Sequence, residues 1–374
     1  MSSHLPGTTD ASPAATGQVG PGTGARGSAL VAKARDAASD PSAAVDTTGP
    51  LDAVTFGEVM AMFIAQDPGP LEEVVAFRRS LAGAEANVAT GLARLGHRVG
   101  WLGRVGDEPF GRYAVSELAA AGIDVAGVTV DEQAPTGLLV KSRADGGDPQ
   151  VVYFRRNSAG SRLAPSAAAD GYLARARHVH VTGISLAVSA SSREFAFRAV
   201  DIARATGATV SFDPNLRPSL WSGPDEMVRE VNRMAALADW VLPGVAEGRV
   251  LTGRDAPDGI AGFYRDLGAS LVVVKDGGRG ATAFTDAGPL HRPVFPVTVV
   301  DTVGAGDGFA AGLISGHLDG LGLAAQLERA AAVGALATTS PGDRDGLPTR
   351  AELDLFLTDA TSGVRGVRAR PVPA

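Results

Sequence analysis

The chain has 374 residues, with 34 Lys and Arg against 41 Asp and Glu, and it contains no cysteine. The formal net charge of −7 argues against nucleic acid as a partner, because binding to phosphate backbones needs clustered cations. The lack of cysteine excludes disulfides, thiolate nucleophiles, Cys-ligated zinc and iron–sulfur clusters. No segment has 18 consecutive apolar residues and no signal-peptide pattern opens the chain, so we expect a cytoplasmic protein without a membrane partner.

The two ends of the chain differ in composition from the middle. Residues 1–50 contain no Phe, Tyr, Trp or Ile, so they cannot bury enough apolar surface to offset the entropy of ordering. We predict a disordered tail over 1–50, one folded domain over 51–360 and a flexible C-terminal tail over 361–374. A G-x-G-x-x-G match at Gly22, Gly24 and Gly27 has no strand before it and no helix after it, so it does not indicate a dinucleotide site.

From residue 51 onward, short apolar runs alternate with helical patterns. AVTFGEVMAMFIA (53–65) is typical of a buried strand, and EANVATGLARLG of a helix that ends at Gly96. RVGWLG, HVHVTG, ATVSFDP, DWVLP and LVVVKDG are further predicted strands, and PFGRYAVSELAAAG is a predicted helix. Helices over 306–318 and about 323–338 follow near the C-terminus. The alternation predicts an α/β fold with a mainly parallel sheet covered by helices on both faces.

Two segments do not fit this alternation. They are EEVVAFRRSLAG (72–83) and TGLLVKSRADGGDPQVVYFRRN (136–157), and the second is a hairpin candidate with a DGGDP turn. We expect them to form a small β-sheet outside the main layer, a lid from about 62–83 and 136–157. Because the edge of such a sheet is open, the lid could pair with a second subunit in a homo-oligomer.

The run DTVGAGDGFAAGLISGHL (301–318) carries the strongest chemical signal. Gly304, Ala305 and Gly306 lead into a helix whose first turn contains Asp307. Free backbone N–H groups at the positive end of a helix bind anions. Asp307 could cap the helix or accept a proton beside a phosphate, and the glycine pair favours the second alternative because it permits close approach of a ligand.

DTVGAGD resembles the C-terminal signature of the ribokinase-like, PfkB-type carbohydrate kinases. AGAEANVATGLARLGHRVGWLGRVGDEPFG (82–111) resembles their N-terminal glycine-rich signature, and the resemblance covers about 51–360. It implies a ribokinase-like three-layer α/β/α fold with a β-sheet lid. It also implies that Asp307 is the catalytic base and that Gly304, Ala305 and Gly306 donate N–H groups to the γ-phosphoryl group of ATP.

Within the family, three further runs resemble the 2-keto-3-deoxygluconate kinases: VVYFRRNSAGSRLAP, HVTGISLA and SFDPNLRPSLW. The resemblance implies ATP-dependent phosphorylation of the terminal hydroxyl of this sugar acid to the 6-phosphate. Guanidinium groups bind carboxylates bidentately, which favours Arg155 and Arg217 as ligands of the acid group. The substrate-binding positions that the resemblance implies are Gly83, Asn87, Tyr153, Arg155, Ile184, Arg217 and Asp343.

VVVKDGGRGATAF (272–284) reads as strand, glycine-rich turn and strand, which from the residues alone fits a plain β-hairpin. The resemblance adds that Lys275, Gly277 and Gly280, with Gly304 and Gly306, lie near ATP. It also implies that Glu247 organises Mg²⁺ through water, a role that one carboxylate can fill because Mg²⁺ keeps most of its waters.

Three positions depart from the family pattern: Gly244 replaces an Asn or Ser, Leu139 an aromatic residue, and Ala331 an Asn found near adenine in some relatives. Glu58 stands near the place where sugar-binding ribokinases have an Asp. Two alternatives therefore stay open, namely a PfkB-type kinase for another small acceptor (fructose, ribose or 5-dehydro-2-deoxygluconate) and a catalytically silent sugar-acid sensor. His178 and His180 alternate on one predicted strand, and we expect both to be structural because no third metal ligand is apparent.

Overall fold

The computed structural model describes residues 49–143 and 149–361. The predicted tails lie almost wholly outside these residues, and so does the predicted hairpin turn DGGDP (145–149) apart from Pro149. Among the described residues, no helix combines the length and the hydrophobicity of a membrane span.

The strands of the described residues are β1 Leu51–Gly57, β2 Met60–Ala65, β3 Phe77–Ala82, β4 Val99–Gly106, β5 Val128–Asp131, β6 Gly137–Lys141, β7 Val151–Phe154, β8 Ala176–Thr182, β9 Thr209–Asp213, β10 Trp240–Val241, β11 Leu271–Lys275, β12 Ala281–Thr285 and β13 Gly288–Arg292. Nine of them form a central sheet in the order β13-β12-β11-β10-β9-β8-β1-β4-β5, in which β12 is antiparallel to both of its neighbours and all other pairs are parallel. The other four form a separate sheet in the order β3-β2-β6-β7.

Helices connect most of the parallel strands. They are α1 Ala84–Arg94, α2 Pro109–Ala120, α3 Ala167–Leu173, α4 Gly183–Ala187, α5 Ala190–Thr206, α6 Pro224–Ala235, α7 Val245–Thr252, α8 Pro257–Asp266, α9 Ala305–Leu318, α10 Leu323–Ala337 and α11 Arg350–Thr361. The two helices predicted near the C-terminus correspond to α9 and α10.

The helices cover both faces of the central sheet. Successive strand residues point to opposite faces, so Ala53 packs in one core cluster and Val54 in the other. Helices α5, α6 and α8 contribute to the cluster of Val54, and α1, α2 and α9 to that of Ala53. The α/β prediction of a three-layer fold with a mainly parallel sheet is confirmed.

The predicted lid is the four-stranded sheet, but its boundaries differ from the prediction. The single strand predicted over 53–65 is wrong, because β1 ends at Gly57 in the central sheet and β2 begins at Met60 in the lid. Both strands are almost fully buried, and between their apolar runs stand only Gly57 and Glu58, a break too short to separate two strands in the sequence pattern. Of the segment 72–83, only Phe77–Ala82 is a strand.

The topology places the carboxyl ends of several strands together. Strand β1 pairs with β4 on one side and β8 on the other, so the strand order reverses at β1. Ligands of open α/β sheets bind at such a switch point, beyond the carboxyl ends of the strands. Gly57, Thr182 and Asp213 end β1, β8 and β9 at this edge.

Candidate active site

A cavity of about 320 Å³ opens at the carboxyl edge of the central sheet, between the lid and the N-terminus of α9. It brings together residues that are far apart in the sequence. The predicted site residues that line it are Gly83, Asn87, Tyr153, Arg155, Ile184, Arg217, Glu247, Lys275, Gly304, Gly306, Asp307 and Asp343. The other three are not in its lining: Ala305 opens α9, and Gly277 and Gly280 lie in the turn between β11 and β12.

The turn at 302–306 leads into α9 and can only be formed with glycine at its centre. Gly304 has φ +85°, and a Cβ there would lie 2.3 Å from the carbonyl oxygen of Asp343. The N–H of Gly308 is bonded to the carbonyl of Gly304 at 2.8 Å. The N–H groups of Gly306 and Asp307 precede it in the first turn, where a helix offers no internal acceptor. The cavity therefore has an anion-binding end.

Asp307 projects from the first turn of α9 into the cavity. Its Oδ2 accepts a 2.8 Å hydrogen bond from the side-chain amide of Asn87, on α1. Burial raises the pKa of Asp307 to about 7, and the neighbouring carboxylates of Asp213 and Asp343 add to this, while the Asn87 bond acts in the opposite direction. A carboxylate with a pKa near neutrality is suited to accept a proton from a hydroxyl group.

Lys275 brings a positive charge to the same end of the cavity. Its Nζ lies 2.5 Å from Oδ2 of Asp213 and 3.6 Å from the position that a Cβ on Gly306 would occupy. Burial alone lowers the pKa of Lys275, but the carboxylates of Asp213 and Glu247 outweigh it and raise the pKa above the usual value. Asp213 was not predicted as a site residue, although a charged residue at the end of a buried strand could have indicated it.

The two predicted arginines have different surroundings. Arg155 forms an ion pair with Glu58, whose side chain is 1% exposed, and Ser158 donates a hydrogen bond to the other Glu58 oxygen. Arg217 is exposed at the mouth of the cavity, and its Nη1 donates to the carbonyl oxygen of Leu216 at 2.9 Å. No carboxylate of the described residues pairs with Arg217. Its charge is therefore available to a ligand, whereas Arg155 already has a partner.

Glu85 is a second buried carboxyl group that the sequence did not single out. It lines the cavity and is 1% exposed. Its Oε1 accepts hydrogen bonds from the hydroxyls of Thr182 (2.6 Å) and Ser185 (2.9 Å), and burial raises its pKa. The position, in the first turn of α1, resembles an ordinary acidic helix start, which is why the sequence alone did not reveal it.

Glu247 lies at the start of α7 and holds two backbone segments. Its Oε1 accepts from the N–H of Leu216 and its Oε2 from the N–H of Gly244, both at 2.8 Å. Gly244 thus contacts Glu247 through its backbone despite having no side chain. Within the described residues no three potential ligands cluster as a direct metal site, but a carboxylate at the cavity wall fits an ion that keeps its own waters.

The remaining positions that the sequence singled out fall into two groups. Leu139 lines the cavity, whereas Ala331 is buried in a core cluster with α11. His178 and His180 both share the Ser211 hydroxyl at 2.8 Å. Burial lowers the pKa of both histidines, that of His180 to about 3. They are neutral core residues, as expected.

Comparisons with known proteins agree on one family. The family model described as pfkB family carbohydrate kinase matches residues 51–350. The 2-dehydro-3-deoxygluconokinase of Bacillus subtilis (strain 168) is 50% identical over 310 residues, which are 82% of this chain and 96% of that protein.

Two solved structures show the same fold. A PfkB protein from Polaromonas sp. JS666 is 48% identical with a TM-score of 0.75, covering 81% of this chain and 99% of that one. A protein from E. coli assigned as ribokinase II, crystallised with ATP and Mg²⁺, is 28% identical with a TM-score of 0.76, covering 82% of this chain and 99% of that one.

Proposed function

The chain belongs to the pfkB family of carbohydrate kinases, and we propose that it transfers the γ-phosphoryl group of ATP to the terminal hydroxyl of 2-keto-3-deoxygluconate. The product would be the 6-phosphate. The observation that carries the proposal is the 50% identity to the Bacillus subtilis 2-dehydro-3-deoxygluconokinase, over 96% of its length. 2-Dehydro-3-deoxygluconate and 2-keto-3-deoxygluconate are two names for the same compound.

In the proposed reaction the acceptor oxygen attacks the γ-phosphorus in line, and the bond to the bridging oxygen of ADP breaks. Asp307 takes the proton of the attacking hydroxyl, which its raised pKa supports. The N–H groups of Gly306 and Asp307 and the Lys275 ammonium would stabilise negative charge on the phosphoryl group, and all three residues line the cavity. Such charge stabilisation and positioning supply most of the catalysis in phosphoryl transfer.

The nucleotide would extend from this turn toward the loop that follows Lys275. Gly277 and Gly280 both have positive φ in that loop, a conformation that favours glycine, and glycine has no side chain to obstruct a ligand. Glu247 would orient the waters of Mg²⁺, and the ion when bound would supply charge neutralisation between the phosphates.

The acceptor would lie between the lid and the first turn of α1. Arg217 has no acidic partner among the described residues, so we assign it to the substrate carboxylate. Arg155, fixed by Glu58, would with Gly83, Asn87, Tyr153, Ile184 and Asp343 border the sugar-acid chain. The lid would exclude water and so protect ATP from hydrolysis.

An acceptor panel tests the proposal. ATP consumption with Mg²⁺ is measured for 2-keto-3-deoxygluconate, its galactose epimer, 5-dehydro-2-deoxygluconate, fructose, ribose and adenosine, with an Asp307→Asn preparation as the matched control. We expect the highest kcat/KM with the keto-deoxy acids. Preference for a neutral sugar would refute the sugar-acid assignment, and no turnover with any acceptor would favour the silent sensor.

Association through the lid is a separate proposal. Strands β3 and β7 are the edges of the lid sheet, and Phe154 on β7 is 60% exposed. An edge strand with an exposed aromatic side chain can pair with a second copy. Light scattering measures the mass of the wild-type protein and of a Phe154→Lys variant. If both proteins have the mass of a dimer, a contact through β7 is refuted.

A further inference from the structure

A buried lysine of the lid lies between two carboxylates that border the 302–306 turn. The Nζ of Lys141 is 2.5 Å from Oδ2 of Asp301 and 2.8 Å from Oδ1 of Asp343. The three side chains are 2%, 4% and 8% exposed, in that order. The proposed transfer step uses neither Lys141 nor Asp301.

Lys141 is carried by the lid and not by the central sheet. It ends β6, in which Gly137, Leu139 and Lys141 are buried and the two residues between them are half-buried. This alternation with period two directs the three buried residues to one face of the strand. Because Leu139 lines the cavity, that face is turned toward the active site. The buried ion cluster therefore joins the lid to the catalytic end of the fold.

The two acids hold the 302–306 turn from two directions. Asp301 directly precedes the turn, and its Oδ1 accepts the N–H of Val303 at 3.0 Å. The main chain of Asp343 packs on Gly304 so closely that a Cβ there would come within 2.3 Å of its carbonyl oxygen. A cation that fixes both carboxylates therefore fixes the backbone whose N–H groups face the cavity.

The cluster needs a positive charge at its centre. Burial raises the pKa of Asp343, while the neighbouring ammonium of Lys141 counteracts this. Burial alone lowers the pKa of Lys141, but Asp343 and Asp301 outweigh it and raise the pKa, so the side chain stays an ammonium. Without that charge, two buried carboxylates would repel one another across the turn, and one would have to take up a proton.

We infer that Lys141 is a positioning residue for phosphoryl transfer, a built-in cation with which the lid holds the 302–306 turn in its anion-binding shape. The inference rests on the kinase function proposed above and deepens it. In this arrangement the 302–306 turn depends on the position of β6 and is fully formed only when β6 is packed against it. Misplacing a catalytic group by about 1 Å can reduce the rate about 10²-fold.

The lack of cysteine in the chain permits a test that changes one charge at one position. In Lys141→Cys the new thiol is the single thiol of the protein, and it can be alkylated in denaturant before refolding. Alkylation with 2-bromoethylamine restores an ammonium at the length of lysine, and iodoacetamide gives a neutral side chain of similar size. Wild-type protein taken through the same treatment is the matched control, because it has no thiol to react.

We expect the aminoethylated protein to recover most of the wild-type kcat and the neutral form to stay about 10²-fold slower. KM for ATP should differ much less between them, because the cluster does not itself contact the nucleotide in the proposed reaction. Equal kcat in the two refolded forms, whether high or low, would overturn the inference.

A second variant covers the case in which the neutral form does not refold. Lys141→Met combined with Asp301→Asn removes one charge of each sign and so relieves the repulsion that would disfavour folding. We expect this double variant to fold and to stay slow. A folded double variant with wild-type kcat would show that the charges serve stability alone and would overturn the positioning role.

Hydrogen exchange provides a readout that does not require turnover. The amides of 301–307 should exchange faster in the neutral form than in the aminoethylated form. The comparison is made between preparations with the same Tm, so that global stability does not cause the difference. Unchanged exchange would overturn the inference even if no acceptor is found. The wild-type protein could fail to phosphorylate any acceptor while the difference in exchange is still observed. In that case the proposed function has failed and the link between lid and turn stands.

Discussion

The side-chain amide of Asn87 donates a 2.8 Å hydrogen bond to the carboxylate of Asp307, and the two residues are 220 positions apart in the sequence. Asn87 belongs to the glycine-rich signature on α1, and Asp307 to the signature at the start of α9. The two halves of the sequence pattern therefore meet at Asp307, the proposed proton acceptor. The contact orients the carboxylate toward the cavity and lowers its pKa relative to a bare buried acid.

Replacing Asp307 by Asn removes the proposed proton acceptor while keeping the size of the side chain. We expect kcat to fall by about 10² to 10⁴ or more, the usual contribution of a positioned base. Folding and ATP affinity should change little, because the N–H groups of the turn remain. Steady-state kinetics with calorimetric titration of ATP measures both, and a variant with full activity would refute the assignment of Asp307 as the base.

Removing the Asn87 amide should move the pH dependence of the reaction. The base must be deprotonated, so activity in the wild type should rise as the pH increases through about 7. The Asn87 bond lowers the pKa of Asp307, so Asn87→Ala should raise that pKa and move the acidic limb of kcat/KM to higher pH.

Thr90→Val is the control for this change. Thr90 lies one turn along α1, and its hydroxyl donates a 2.8 Å hydrogen bond to the carbonyl oxygen of Ala86, away from Asp307 in the bonding of the described residues. Its pH profile should match that of the wild type. An Asn87→Ala profile with an unchanged or lowered midpoint would contradict the role of Asn87.

Arg217→Ala should discriminate between acceptor classes. The guanidinium has no acidic partner among the described residues, so its loss should weaken acidic acceptors by raising their KM, with a smaller effect on neutral sugars. A charge-assisted hydrogen bond contributes about 1.5–3 kcal/mol, which corresponds to a roughly 10- to 100-fold change. Arg156→Ala removes an exposed arginine that does not line the cavity and serves as control. Equal losses with both acceptor classes would exclude Arg217 as the carboxylate ligand.

The ion pair of Glu58 and Arg155 should contribute to the free energy of unfolding as well as to the position of Arg155 in the cavity. Arg155→Met leaves Glu58, 1% exposed, without its counter-charge, and breaking a buried pair in this way costs about 3–5 kcal/mol. Glu58→Gln together with Arg155→Met should cost less than the sum of the single changes. Urea unfolding of all four proteins gives the coupling energy. Strictly additive costs would mean that the pair does not interact.

The sequence predicted the alternation of strands and helices and the existence of the lid, because periodicity and turn residues are local signals. It did not predict where β1 ends and β2 begins, since Phe56 and Met62 are both fully buried and the change of sheet is marked only by Gly57 and the single charged residue Glu58, which is itself buried. From the sequence, both Arg155 and Arg217 were assigned to the carboxylate of the substrate. Only Arg155 lies beside a buried carboxylate, and that depends on how the lid packs over Glu58.

By itself the sequence determined the backbone shape at the start of α9 and pointed to the proposed proton acceptor, because a glycine pair followed by an acid is a signal within a few neighbouring residues. The tertiary structure alone decided which distant charges surround that acid. Asp213 lies in SFDPNLRPSLW and Glu85 in the glycine-rich run at 82–111, but the sequence assigned no role to either of them or to Lys141. The three residues reach this end of the cavity because parallel strands gather their carboxyl ends at one edge and the lid folds over it. Burial at that edge, which no local pattern encodes, is what brings the pKa of Asp307 to about 7.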